Sequence, residues 1–347
     1  MKNKRQSNLK LLILLLLLTA ILLIVSTYAW FTSNQTVTVE NLQVNVKAKN
    51  GLQISVDGTT WKSIIQTGDI TAVSSDYTDI VNQLPSSMEP VSTVGTPDAS
   101  GYLPMYYGEV KTHGGDYILT ATKETDTRGS GSEAGKYIAF DLFFKVDADT
   151  DLLLTKNSEV TSNKTTGITN AARIAFVNKG HTTAGAQLTD IQKLNSGTSS
   201  VVSIWEPNYD VHTAEGVKNA KDVYNITTTQ TGATRIAYDG IKDVITYDPT
   251  QTVAQTGANP TAIKLGDANK TANSAKFDTV TISHPTVSGF DENIALFTLT
   301  SGITKVRIYM WIEGQDVDCE NNASGANAVF NVDITVPSQQ SQGGGEG

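Results

Sequence analysis

Glu313, Asp316, Asp318 and Asn321 crowd into the stretch Trp311 to Asn322, the densest polar cluster of the chain. Oxygen donors at this density are what a hard cation such as calcium takes. Glu313, Asp316 and Asp318 are therefore the candidate metal ligands, with Asn321 as a further oxygen donor. The spacing is not that of an EF-hand loop. A turn between two core strands, closed by Asx hydrogen bonds, explains the same residues without an ion and is the favoured expectation. Calcium is the one cofactor that the sequence suggests.

Other chemistry lacks its pattern. His113, His181, His212 and His284 lie far apart, with no His-Glu-x-x-His and no pair at helical i, i+4 spacing for zinc. There is no nucleophile elbow, phosphate loop or dinucleotide fingerprint. Cys319 is the single cysteine, and no basic neighbour in sequence would lower its pKa, so it is expected to be a structural thiol. An enzyme is not expected.

The elements that must position these residues are strands. Ile138, Phe140, Leu142, Phe144 and Val146 share one face of a strand from Tyr137 to Val146, with Asp141 and Lys145 opposite. Val306, Ile308, Met310 and Ile312 do the same over Lys305 to Glu313, with Arg307, Tyr309 and Trp311 opposite. Further strands are expected at Leu52 to Val56, where Asp57-Gly58 signals a hairpin turn, and at Leu152 to Leu154. Ala172 to Val177, Val201 to Trp205, Thr279 to Ser283, Ala295 to Thr300 and Phe330 to Val336 complete the set. Only Gln187 to Asn195 reads as a short helix. Residues 66–135 and 215–275 are polar and turn-rich, and read as insertions. The expected fold is all-β: an antiparallel jelly-roll-like β-sandwich over 42–336, with long loop insertions and a disordered Gln/Ser/Gly-rich tail at 337–347.

The N-terminus carries an address. Lys2, Lys4, Arg5 and Lys10 precede the apolar run Leu11 to Val25, and no acidic residue occurs before Glu40. A positive segment, an apolar core and small residues at Thr27 and Ala29 form an export signal, with cleavage expected between Ala29 and Trp30. The run approaches the roughly 20 residues that span a bilayer, so a retained anchor over 1–29 is the alternative. The formal net charge is −9, and loss of residues 1–29 would make the rest four charges more acidic. That balance disfavours nucleic acid as a partner. With one cysteine there is no intramolecular disulfide, leaving packing, ions or assembly to stabilise the exported protein.

Directly after the signal, Val37 and Val39 place apolar side chains at odd positions, whereas Leu42, Val44, Val46 and Ala48 place them at even ones. One flat strand cannot put both sets on one face, so a bulge or break is required near Glu40-Asn41. The break separates a segment at 30–41 from a resident strand at 42–48.

This order of pieces resembles the TasA/camelysin-like matrix proteins of Gram-positive bacteria, which the SipW type of signal peptidase processes. Archaeal bundling pilins are distant relatives. The resemblance rests on Tyr28-Ala29-Trp30-Phe31-Thr32 after the apolar run and on Leu42-Gln43-Val44-Asn45-Val46. Tyr137 to Phe144, Ala172 to Phe176, Ile204 to Asn208 and Trp311 to Cys319 look like segments of Gram-positive surface proteins. The mature chain is longer than a typical member, and its signal is richer in leucine. The resemblance implies an extracellular fibre or biofilm-matrix subunit that polymerises with itself by donor-strand exchange. Phe31 to Val39 would be the donated segment, with Val37 and Val39 as its anchors, and an assembly or minor fibre subunit would be a further partner. A membrane-anchored adhesin that never polymerises is the alternative.

Overall fold

The computed structural model describes residues 39–73, 82–113, 116–125, 129–131, 134–246, 263–264, 275–319 and 325–337. The signal segment, Ala29, Trp30, Phe31, Val37 and residues 338–347 lie outside the described residues, as does Asn321. Two large sheets carry the fold. In the first, β1 (Val39–Ala48) lies beside β20 (Asn327–Thr335), which continues to β10 (Thr150–Leu154) and the edge strand β18 (Ile294–Leu299). Short strands fill the flanks: β3 (Ile64–Gln66) and β5 (Ser87–Met88) on β1, and β11 (Glu159–Thr161) on β20. The second sheet centres on β19 (Gly302–Ile312), between β9 (Ile138–Val146) and β12 (Ala172–Thr182). Beyond β12 lie β13 (Val201–Glu206) and β17 (His284–Pro285); β2 (Gln53–Ser55), β4 (Gln83–Pro85) and β8 (Gly129–Gly131) extend the β9 side.

The two sheets face each other over one apolar core, as alternation demands. Val44, Val46 and Ala48 meet Ala328, Phe330, Val332 and Ile334 within the first sheet's inner face. Ile138, Phe140, Leu142 and Phe144, with Ile174, Phe176, Val306, Ile308, Met310 and Ile312, supply the other wall. The architecture is all-β and sandwich-like, but it is not purely antiparallel. Among the described residues the first and last strands, β1 and β20, run parallel, as do the short pairs β13–β17 and β4–β8. A parallel pair needs a long crossover, and here nearly the whole chain supplies it.

The expected bulge is present. Glu40 pairs with Asn327 and Gln43 with Val329, so β1 carries one extra residue between those points. The Asp57-Gly58 turn is also present: Gly58 has φ 80°, and Asp57 Oδ1 accepts the Thr59 and Thr60 amides (2.7 and 2.8 Å). The strand expected at Thr279 to Ser283 is displaced; β16 (Phe277–Thr279) ends where it was to begin, paired with β14 (Asp239–Ile241).

The insertions are more ordered than their composition suggests. Residues 66–135 contain a long hairpin of β6 (Met105–His113) and β7 (Asp116–Glu124), joined by β15 (Ile263–Lys264) on β7. Short helices α1 (Thr67–Ala72), α2 (Ile168–Ala171) and α3 (Leu188–Gln192) sit at strand ends, and α4 (Ala214–Tyr224) rises from the second insertion. Together the insertions cover the outer face of the second sheet. Ala139, Ala175, Tyr309 and Trp311 are buried there under Val91, Leu103, Met105, Tyr238, Val280 and Ile282.

Candidate functional site

Two places answer to the expected site residues. The first is the start of β1. Val39 is the first described residue and pairs with Met88; Glu40 pairs with Ser87. Past the bulge, Asn45, Val46 and Lys47 pair with β3. The two short flanking strands therefore sit on opposite sides of the phase break, and β20 runs along the other edge. Of the expected donor residues, Val39 is the one described, and its backbone lies in the chain's own sheet.

The second place is the end of the second sheet where β12 begins and β13 and β19 stop. Glu313, Asp316 and Asp318 lie there, all buried, with donors on each. Glu313 accepts Trp311 Nε1 and the Gln315 amide, both at 3.0 Å. Asp316 Oδ1 accepts the Asp318 amide at 2.8 Å, an Asx-type closure of the turn. Its Oδ2 meets Arg173 Nη2 at 2.5 Å, and the same nitrogen reaches Glu206 Oε1 at 2.8 Å. The other Glu206 oxygen bonds Arg235 Nε. His212 Nδ1 donates to Asp318 Oδ2 at 2.8 Å, and Asp318 Oδ1 accepts the Thr213 amide at 2.9 Å, just ahead of α4. Among the described residues no group of three or more His, Cys, Asp or Glu converges as metal ligands. The three carboxylates are thus engaged by protein donors, in the turn that the sequence favoured.

The cluster's other members, Arg173, Glu206 and His212, escaped sequence reasoning as a group. Arg173 is fully buried, and His212 and Glu206 nearly so, yet each comes from a different strand or loop. Only α4 left a local signal. Thr213 caps it, accepting the Gly216 amide at 2.8 Å, with Glu215 in the first turn and Lys221 in the last. Around these groups a cavity of about 10 Å³, room for one water, is lined by Asn170, Glu206, His212, Tyr238, Asp316 and Asp318, among others. His212 Nε2 and the Tyr238 hydroxyl are buried without a protein partner.

On the other side of Asn208, a polar groove of about 530 Å³ opens between β11 and residues 286–290. Lys156, Asn157, Glu159, Asn208, Ser288 and Phe290 line it. Its size falls in the range of small-ligand sites, roughly 300–1,000 Å³. Among the described residues no helix is long and apolar enough to cross a membrane. No protein-family model, curated protein or solved structure matches the chain.

Proposed function

We propose that the protein is an exported structural subunit of an extracellular fibre or biofilm matrix, of the TasA/camelysin-like kind and jelly-roll topology. It assembles head to tail, each copy lending its N-terminal strand to the next. The observation that carries this is the bulge between Glu40 and Gln43. It lies inside β1, between the Val39–Glu40 end that pairs with β5 and the residues from Gln43 onward that are held between β20 and β3. An extended arm beside a sheet offers main-chain hydrogen bonds and alternate side chains to a neighbouring edge. A head-to-tail contact that does not close on itself makes a filament.

Residues 30–347 are expected to form filaments visible by negative-stain microscopy. Deletion of residues 30–38, which leaves β1 whole, is expected to give a folded monomer. Equal polymerisation of both forms would overturn the donor role. The polar groove favours a second reading, a surface adhesin held by an uncleaved anchor. N-terminal sequencing of the cell-surface protein separates the two: a start at Trp30 supports release, and an intact Met1 supports the anchor.

A further inference from the structure

The polar groove runs between the first sheet, at β11, and the segment that follows β17 of the second. Both walls are fixed by the protein itself. On the β11 side, Ser158 Oγ donates to the Asp333 carbonyl and accepts the Asp333 amide, each at 3.0 Å. Opposite, the Thr286 amide donates to the Glu206 carbonyl (2.9 Å) and the Tyr209 amide to the Thr286 carbonyl (3.1 Å). The Ser288 amide donates to Asp210 Oδ1 at 2.6 Å. Trp205 also lines the groove, fully buried, and its Nε1 donates to Thr286 Oγ1 at 3.0 Å. Its ring meets Phe290 edge-on, 6.1 Å away at 64°. Phe290 is held half-buried by this contact, with its remaining surface on the groove. A site so braced is formed before any ligand arrives, as small-molecule sites usually are.

The polar side chains on these walls have spare capacity. Among the described residues Lys156 makes no ion pair, and no protein group bonds the side chains of Asn208 or Ser288. Asn157 Nδ2 reaches Asp333 Oδ2 only at 3.5 Å. Glu159 uses one oxygen, accepting Asn331 Nδ2 at 3.3 Å. Lys156 and Glu159 are the charged residues of the lining, and they cancel. The groove thus presents an aromatic surface, amides and hydroxyls that both donate and accept, and no net charge.

We propose that the groove is a saccharide-binding site, taking a neutral hexose or N-acetylhexosamine unit of a glycan. The C–H face of the sugar ring stacks on Phe290, and its hydroxyls bond Asn157, Asn208, Ser288 and Glu159. An anionic glycan would meet Glu159 on a chain of formal net charge −9. A peptide finds little backbone to pair with, because the Thr286, Ser288 and Phe290 amides are already bonded within the protein. The site lies apart from the start of β1, so it does not depend on assembly.

Calorimetric titration of the full chain with maltotetraose, cellotetraose and chitotetraose, and with polygalacturonate as the anionic probe, tests this. At least one neutral probe is expected to bind at a single site per chain. Phe290→Ala is expected to weaken that binding about tenfold, the scale of an aromatic contact. Asn208→Gly is expected to weaken it about three- to tenfold, the scale of a hydrogen bond. Phe290 also packs against the main core, whereas Asn208 has φ 55°, a conformation glycine adopts freely. Asn208→Gly therefore decides the matter should Phe290→Ala not fold. No binding of any neutral probe, or a preference for polygalacturonate, overturns the proposal. Binding that the folded variants leave unchanged also overturns it, since the saccharide would then sit elsewhere. A chain that forms filaments but binds no saccharide would lose this site and keep the assembly reading.

Discussion

Asp141→Ala is expected to lower stability by about 3–5 kcal/mol, the cost of leaving a buried charge without its partner. A domain is stable by only about 5–15 kcal/mol, so urea unfolding of the variant should begin near zero denaturant. Asp141 is fully buried in the middle of β9, on the face turned away from the main core. It lies opposite Arg307 in the ladder and takes a two-pronged bond from it, Nε to Oδ1 at 2.8 Å and Nη2 to Oδ2 at 3.1 Å. Lys305 Nζ stands 3.3 Å from the same carboxylate. Alanine would leave the Arg307 guanidinium, 4.4 Å from the Tyr102 ring, without its carboxylate, and Lys305 with the Gln192 carbonyl alone of its named oxygen partners. Burial opposes the ionised carboxylate, but Arg307 and Lys305 outweigh it and hold the pKa below the usual 3.8. The sign follows: this stabilisation is present above pH 3.8 and is lost as pH falls through the lower folded value. An Asp141→Ala protein as stable as the wild type would show that water reaches this layer.

Phe330→Ala is expected to cost about 3–5 kcal/mol, the usual range for removing a buried phenyl ring. Phe330 is fully buried at the centre of β20, with Val44 of β1 on one side and Val160 of β11 on the other. All three belong to the main core. The effect bears on the proposed assembly because β20 is the neighbour that holds β1 along its length. A weakened seam should loosen the strand that follows the proposed donor arm. Amide exchange in β1 is therefore expected to accelerate more than in β12, which belongs to the other sheet. Uniform acceleration would mean that β1 has no separate hold on the core.

Much of the frame was readable from period-two alternation. The faces of β9, β19 and β20 were assigned from their odd and even positions, and burial follows that assignment on the core side. The phase change at Glu40-Asn41 required an extra residue, and the register of β1 on β20 contains it. The hairpin of β6 and β7 was missed although Gly114-Gly115 stands between its strands, the type of turn that signals one. α4 was missed although Thr213 and the charges of its end turns marked it.

What the sequence determined by itself is therefore local: which residues share a face, where a strand must break, and the Asx turn at Asp316. The tertiary structure alone decided what covers each face. Asp141, Arg307 and Arg173 look like solvent-facing residues until the insertions close over them. It alone also decided that β1 and β20 meet in parallel, and that His212, Arg173 and Glu206 converge on the turn from Glu313 to Asp318. The physical reason is range. Alternation follows from backbone geometry within a few residues, whereas coverage, strand order and charge balance depend on contacts between segments far apart in the chain. No local pattern carries that information, and the same alternating strand fits a wet face or a dry one until another layer packs on it.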